Sequence, residues 1–105
     1  MNPDLQTISD YIVQRYHFDS ENYPPLAGLS EQERLQFSIR HLALHFSKTA
    51  GKIATASEGA DHGGGMDIQE LKVNLAKSLI NTLRFAELVK MSDMEFVELI
   101  KKNYD

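Results

Sequence analysis

The chain contains no cysteine among its 105 residues. It therefore forms no disulfide framework and has no thiolate chemistry. No segment approaches the roughly 18 consecutive apolar residues of a membrane helix. At the N-terminus Asp4 stands where a signal peptide carries positive charge. These features predict a soluble cytoplasmic protein that does not enter a membrane.

The chain also has no excess of positive charge. Fifteen acidic and eleven basic residues give a formal net charge of −4, and the basic residues are dispersed. A surface for a nucleic acid polymer therefore has no support in the composition. A free nucleotide is not excluded, because one small pocket does not require a basic protein.

Alternating runs of β-branched residues are missing as well, so we expect no β-sheet. With 42% hydrophobic residues, the length suits one domain or one subunit of a small oligomer. We predict a single all-α domain of four helices over residues 1–105. It comprises an N-terminal helix with a proline-containing loop over 1–28 and a helical core over 29–105.

The N-terminal part predicts one amphipathic helix over about residues 3–16. Asn2 is a suitable N-cap, and Pro3 suits the first helical position. The predicted apolar stripe consists of Leu5, Ile8, Ile12 and Tyr16. Residues 17–28 contain two adjacent prolines and no sustained period, which predicts a loop. The apolar residues of this loop that we expect to lie against the core are Phe18, Tyr23 and Leu26.

The second helix begins at a capping box of Ser30 and Glu33 and continues to roughly Ser57. Its apolar residues follow the helical period: Leu35, Ile39, Leu42, Phe46, Ala50 and Ile53. Gly51 interrupts this pattern, which indicates either a close helix crossing or sequence drift. The segment EGADHGGGMD that follows predicts a mobile connection. It lacks the glycine-lysine-hydroxyl ending of a phosphate-binding loop.

The segment from Met66 to Asp105 predicts a helix, a tight turn and a second helix. Asp67 with Glu70, and Ser92 with Glu95, are spaced as capping boxes at the two helix starts. The first of these helices is apolar on more than one side, which is typical of the central helix of a bundle. A chain this short cannot cover so much apolar surface alone, so we expect a homo-oligomer, most simply a dimer.

His41 and His45 have the i, i+4 spacing that places two imidazoles on one helix face, as in some metal sites. Leu42 stands where a zinc protease has glutamate. The candidate for a third metal ligand is His62, in the glycine-containing connection. Ordinary hydrogen bonding is therefore favoured over a metal pair.

Polar side chains recur on one face of each long helix. On the second helix they are Ser38, His41, His45, Lys48 and Lys52, and on the third they are Glu70, Asn74, Lys77 and Asn81. On an arbitrary helix such a stripe is usually a solvated face.

Three segments resemble the all-α nucleoside triphosphate pyrophosphohydrolases of the MazG-like family. They are KTAGKIA at Lys48–Ala54, NLAKSLINTLRFAELVKMSD at Asn74–Asp93 and VELIKKNYD at Val97–Asp105. The residues in register are Gly51, the Leu75-Ala76 pair, the segment Arg84–Leu88 and Asn103. The resemblance implies a four-helix MazG-like bundle: two long antiparallel helices, an N-terminal helix and a short C-terminal helix. It also points to a dimer.

In that family, carboxylates on the two long helices hold the magnesium that binds the nucleotide and activates water. The resemblance places lysine, threonine or asparagine at those positions here: Lys48, Thr49, Lys52, Asn74 and Lys77. Cations there repel magnesium. The resemblance therefore implies no catalytic residue, and no magnesium unless the family activity survives.

Three readings remain open for the site in which lysine, threonine and asparagine replace the carboxylates of the family. The first is a non-catalytic protein that binds a nucleotide or another phosphate-bearing ligand through those five residues. Asn81, Arg84 and Asn103 add donors, and Lys52 and Lys77 share one anion. The second is a structural or regulatory oligomer without a ligand. The third is an active pyrophosphohydrolase with displaced metal ligands.

Overall fold

The computed structural model describes residues 4–104, which form an all-helical chain. The four α-helices are α1 (Leu5–Val13), α2 (Glu31–Asp61), α3 (Ile68–Leu88) and α4 (Asp93–Lys102), and a 3-10 turn covers Pro24–Leu26. The part described contains no β-strand, which confirms the all-α prediction. Within it, no helix has the length and apolarity needed to cross a bilayer.

Helix α1 is shorter than the predicted 3–16. The Asp4 carboxylate accepts a hydrogen bond from the amide of Thr7 at 2.8 Å, so Asp4 is the N-cap. The predicted cap at Asn2 and Pro3 lies outside the described residues. The helix ends at Val13, and the amides of Arg15 and Tyr16 both turn back to the carbonyl of Ile12. Tyr16 thus leaves the helix and is not part of its apolar stripe.

The segment between α1 and α2 packs on the helices, as predicted. Leu26 is fully buried, and Phe18 and Tyr23 are half-buried. The rings of Phe18 and Tyr23 stack with their centres 5.0 Å apart. This loop therefore forms one wall of the structure beside α2 and α3.

Helices α2 and α3 form the long antiparallel pair. Residues 48–56 of α2 share a cavity with the start of α3, whereas residues 45 and 49 share one with its later turns. Helix α2 continues to Asp61, four residues beyond the predicted end, so the connection is only residues 62–67. Gly63 with φ +87° and a hydrogen bond from the amide of Gly64 to the carbonyl of Gly59 close the helix.

The helix starts confirm the predicted caps. Ser30 and Glu33 form the full reciprocal box, with distances of 3.1 and 3.2 Å. Asp67 caps α3, and the Ser92 hydroxyl caps α4 by accepting from the amide of Glu95 at 3.2 Å. In the described residues only the box at α2 is reciprocal. The expected return hydrogen bonds from the side chains of Glu70 and Glu95 to their cap residues do not form.

The buried interior is small and half polar. The buried apolar residues are Ile12, Leu26, Leu42, Leu83 and Ala86, and the buried polar residues are Ser38, Thr49, Asn74, Asn81 and Arg84. Helix α4 buries no residue. Large apolar side chains lie exposed on all three later helices, among them Leu35, Ile39, Phe46, Ile68, Leu75, Leu79, Val97, Leu99 and Ile100. Helix α3 nevertheless contacts both α1 and α2 and buries Leu83 and Ala86, so its C-terminal half is covered on more than one side, whereas Leu75 and Leu79 are exposed.

The chain is also more open than a compact monomer. Its accessible area is 7954 Å². About 6,000 Å² is typical of a monomer of this mass, which leaves an excess of about 2,000 Å². The radius of gyration is 16.6 Å, compared with about 13 Å for a compact domain of this length.

Candidate functional site

The groove between α2 and α3 is lined by polar side chains, some buried and others exposed. Several hydroxyl groups donate to the backbone carbonyl four residues earlier and are thereby satisfied: those of Ser38, Thr49, Ser78 and Thr82. The stripes that usually form solvated faces thus meet each other here, with Asn74 and Asn81 buried. Two cavities open along this groove.

The larger cavity, which we call the lysine cavity, has a volume of about 610 Å³ and lies near the glycine-containing connection. Its lining consists of Lys48, Gly51, Lys52, Thr55, Ala56, Glu70 and Asn74. Asn74 is only 1% exposed, and its Nδ2 donates to the carbonyl of Glu70 at 3.0 Å. Its Oδ1 has no hydrogen-bond partner among the described residues. A donor in this cavity would satisfy that oxygen.

The smaller cavity, which we call the arginine cavity, has a volume of about 170 Å³. Its lining consists of Tyr16, His45, Thr49, Lys77, Ile80, Asn81 and Arg84. Arg84 also lines a neighbouring cavity of about 200 Å³ with Phe18 and Glu87. No carboxylate belongs to the lining of the arginine cavity in residues 4–104.

Arg84 is a buried cation whose hydrogen bonds are incomplete. Its side chain is 9% exposed, and its Nε and Nη2 have no partner in the described part of the chain. These two nitrogens form one edge of the guanidinium, the edge that binds two oxygens of a carboxylate or phosphate in parallel. The guanidinium carbon lies 4.8 Å from the ring centre of Tyr16 and 4.7 Å from that of Phe18.

The aromatic rings do not compensate for the burial of this charge. Removing an ion from water costs several kcal/mol in a real protein. A cation–π contact returns about 0.5 to 2 kcal/mol. Between residues 4 and 104 the only ion pair joins Glu58 to His62, so no carboxylate neutralises Arg84. The guanidinium edge therefore has two donors that an anion can satisfy.

His41 and His45 form a hydrogen-bonded pair with their Nε2 atoms 3.0 Å apart. Aromatic rings surround His41, including that of Tyr23 at 5.0 Å and that of Phe37 stacked at 5.8 Å. Burial lowers the pKa of His45 below its ordinary value, and the positive charges of His41, Arg84 and Lys48 act in the same direction.

No third metal ligand accompanies this pair in the region that the structure describes. His62, the guessed third ligand, lies at the C-cap of α2 and pairs with Glu58 at 3.8 Å. We therefore treat His41 and His45 as hydrogen-bonded imidazoles.

The structure brings the predicted site residues together in two groups. Lys48, Lys52 and Asn74 line the lysine cavity, and Thr49, Lys77, Asn81 and Arg84 line the arginine cavity. Lys52 and Lys77, which we expect to share one anion, line different cavities. Asn103 is apart from both groups: it is the exposed C-cap of α4, and its Nδ2 donates to the carbonyl of Leu99.

Sequence reasoning missed the aromatic partners of Arg84. Tyr16 was assigned to the apolar stripe of the first helix, and Phe18 to general core packing. No local signal connects either residue to α3, because both contacts arise only when the loop after α1 docks on that helix.

No family model, curated protein or solved structure matches this chain. The resemblance to the MazG-like family therefore remains a prediction. Conclusions about function depend on the groove and its two cavities.

Proposed function

We propose that this protein is a non-catalytic binding protein for a phosphate-bearing or other anionic ligand, which it takes up between α2 and α3 without magnesium. The observation that carries the proposal is the buried edge of Arg84, with Nε and Nη2 unpartnered. A bidentate oxyanion satisfies both nitrogens at once and neutralises the charge.

The size and lining of the arginine cavity suit a small oxyanion. At roughly 30 Å³ for each water molecule, its volume corresponds to about five or six waters, enough for a phosphate or sulfate group. Lys77 adds a second cation, and the amide of Asn81 adds a donor. The lysine cavity, at about 610 Å³, has room for the remainder of a nucleotide-sized ligand.

Tyr16 is the movable wall of this site. The two unpartnered nitrogens of Arg84 are closed off from solvent. Tyr16 is 46% exposed and lies outside α1, so its ring can turn without disturbing a helix. We propose that an anion reaches Arg84 when this ring moves aside.

The donor set of the groove argues against magnesium-dependent hydrolysis. Magnesium binds through carboxylates and substrate phosphates, with several waters retained. Among the lining residues of these two cavities the only carboxylate is that of Glu70. Lys48 and Lys52 line the same cavity as Glu70, and Lys77 lines the other. The proposal therefore includes weak or absent hydrolysis of nucleoside triphosphates.

We further propose that the protein is a homodimer. The alternative reading, a structural or regulatory protein without a ligand, also includes an oligomer. An obligate homodimer interface buries about 2,000 to 5,000 Å² from both subunits together. An excess area of about 2,000 Å² on each subunit falls within that range. The exposed apolar residues of α3 and α4 supply suitable surface for it, Leu75 and Ile100 being 54% and 55% exposed.

Thermal unfolding with added anions tests the binding function. Sodium sulfate and sodium phosphate are expected to raise the Tm of the wild type in a saturable manner, and sodium chloride at matched ionic strength is not. In Arg84→Lys, which loses the bidentate edge, the Tm increase is expected to shrink sharply. Arg40→Lys, a change at an exposed arginine of α2, is the matched control. Equal responses of these two variants would contradict the proposal.

A separate assay tests the absence of hydrolysis. The protein is incubated with common nucleoside triphosphates and magnesium, and pyrophosphate release is measured. We expect release near background. Robust release that a chelator abolishes would favour the third reading, an active enzyme with displaced ligands.

A further inference from the structure

The arginine cavity has an ionisable pair in its wall besides its fixed cations. His45 lines the cavity together with Arg84 and Lys77, and its Nε2 is hydrogen-bonded to that of His41 at 3.0 Å. His41 is enclosed by aromatic rings on the side away from His45 along α2. The pair thus connects the anion site to an aromatic enclosure.

We infer that the arginine cavity takes a doubly charged tetrahedral oxyanion together with one proton, which the His41–His45 pair holds. This inference rests on the proposed function and specifies its ligand class. A dianion balances the charge of Arg84 and that of Lys77, and the added proton places a third positive charge at the cavity wall. A monoanion neutralises less of this charge and draws the proton less strongly.

The existing hydrogen bond defines where the proton goes. In the neutral pair one Nε2 carries the hydrogen and the other accepts it, so the donor ring has a bare Nδ1 and the acceptor ring a protonated one. A proton from solvent binds the bare Nδ1. The pair then consists of one imidazolium that donates through Nε2 to a neutral imidazole, and the hydrogen bond becomes charge-assisted. No other bond is made or broken.

The groups that face the pair determine the direction of the coupling. Lys48 comes from α2, Arg84 and Lys77 from α3, and Tyr16 from the segment after α1. The carboxylate of Glu87 lines the neighbouring cavity together with Arg84 and forms no ion pair with it in the described residues. In the described structure the charged groups that face the pair are thus all cations. Burial is the largest cause of the lowered pKa of His45, and the cations lower it further. A bound dianion reverses that repulsion and raises the pKa.

Aromatic rings surround His41 on the side away from Arg84. The ring of Tyr23 meets His41 edge to face, that of Phe37 stacks on it, and that of Phe18 lies 6.3 Å away. Aromatic faces attract an imidazolium through their quadrupole. The charge that the dianion draws into the pair therefore has favourable contacts on the side away from Arg84.

Isothermal titration calorimetry with sodium sulfate tests the inference. Sulfate stays a dianion throughout the range from pH 5.5 to 8.5, whereas phosphate itself titrates there. Titrations at pH 6.5 in two buffers with different ionisation enthalpies give the number of protons bound with each sulfate. We expect net proton uptake at pH 6.5 and none at pH 8.5. The sulfate affinity should be higher at pH 5.5 than at pH 8.5, by at most about tenfold for each unit by which sulfate raises the pKa of the pair.

Histidine variants identify the proton's position. His45→Gln is expected to bind sulfate without proton uptake and with the same affinity at every pH. His41→Phe keeps an aromatic ring in the enclosure but removes the hydrogen-bond partner of His45, and it is expected to change the proton uptake. His62→Gln removes a distant histidine at the end of α2 and should retain the wild-type proton uptake. Unchanged uptake in both His45→Gln and His41→Phe overturns the inference.

The possible outcomes separate this inference from the proposed function. Sulfate binding without proton uptake in the wild type overturns the inference and leaves the anion-binding function intact. Failure of the wild type to bind sulfate or phosphate at any pH overturns both. Equal proton uptake with sulfate and with a monoanion such as nitrate overturns the preference for a dianion.

Discussion

The guanidinium carbon of Arg84 lies 4.7 Å from the ring centre of Phe18, which joins α3 to the loop that follows α1. This contact covers one face of a buried cation with an aromatic ring and leaves the nitrogen edge without an acceptor. The site that we propose therefore exists only when the loop is docked on the helix pair.

Arg84→Met is expected to increase the free energy of unfolding in sulfate-free buffer by about 1 to 3 kcal/mol, because methionine fills similar space without a buried unpaired charge. The same variant should lose the stabilisation by sulfate. Urea unfolding with and without sulfate measures both effects. Arg40→Met is the control and should change the stability little. A strongly destabilised Arg84→Met would show that the arginine has a partner that stabilises it.

Lys77→Gln is expected to weaken sulfate binding several-fold, because Lys77 lines the arginine cavity. Lys52→Gln removes the same charge at an exposed position of the lysine cavity and should leave the sulfate affinity nearly unchanged. Calorimetric titration of both variants compares them. Equal losses would indicate that the two lysines share one anion, as the resemblance to the MazG-like family implies.

Leu75→Glu combined with Leu79→Glu is expected to convert the proposed dimer into monomers, because two charges are placed on an exposed apolar face of α3. Sedimentation velocity should give a mass near twice the 11.9 kDa of the chain for the wild type. Leu44→Glu alters an exposed leucine on a different helix, α2, and serves as the control. A clean wild-type monomer at micromolar concentration would contradict the dimer.

His45 is expected to make folding stability depend on pH in the absence of a bound anion. Its pKa is lowered in the folded state, so below about pH 6.5 the unfolded chain binds more protons than the folded one. The stability contribution is therefore complete above pH 6.5 and is lost as the pH falls toward the folded-state pKa. Urea unfolding between pH 5 and 8 should show a smaller loss for His45→Gln. A wild-type curve identical to that of the variant would contradict this expectation.

Gly51→Ala is expected to stabilise the protein by up to about 1 kcal/mol. Gly51 is helical, and a Cβ atom built there meets no atom within 4 Å, so no close helix crossing among residues 4–104 requires the glycine. Gly63→Ala is the contrasting variant: Gly63 has φ +87°, and alanine is strained there. Chemical denaturation should show opposite effects. Destabilisation by Gly51→Ala would point to a contact with another copy of the chain.

The helix starts were predictable because capping is local chemistry. Ser30, Asp67 and Ser92 each lie three residues before a glutamate whose amide they bind, and α2, α3 and α4 begin directly after them. The helix ends were less predictable. Helix α2 ends four residues late, at the position where Gly63 adopts a positive φ, and α1 ends early where Tyr16 turns toward Arg84. The end of α2 is set by a local closure at Gly63 and Gly64 that the apolar period does not show, and the end of α1 is connected to a contact that the local sequence does not contain.

The sequence by itself determined the helical content, the four elements and the polar and apolar stripes along them, because period and capping act within a few residues. Only the tertiary structure decided which stripe faces inward. The pairing of α2 with α3 buries Asn74, Asn81 and Arg84 and leaves Leu75 and Leu79 exposed. The physical reason is that a stripe shows only that two faces differ. Which face is covered depends on elements that are distant in the chain.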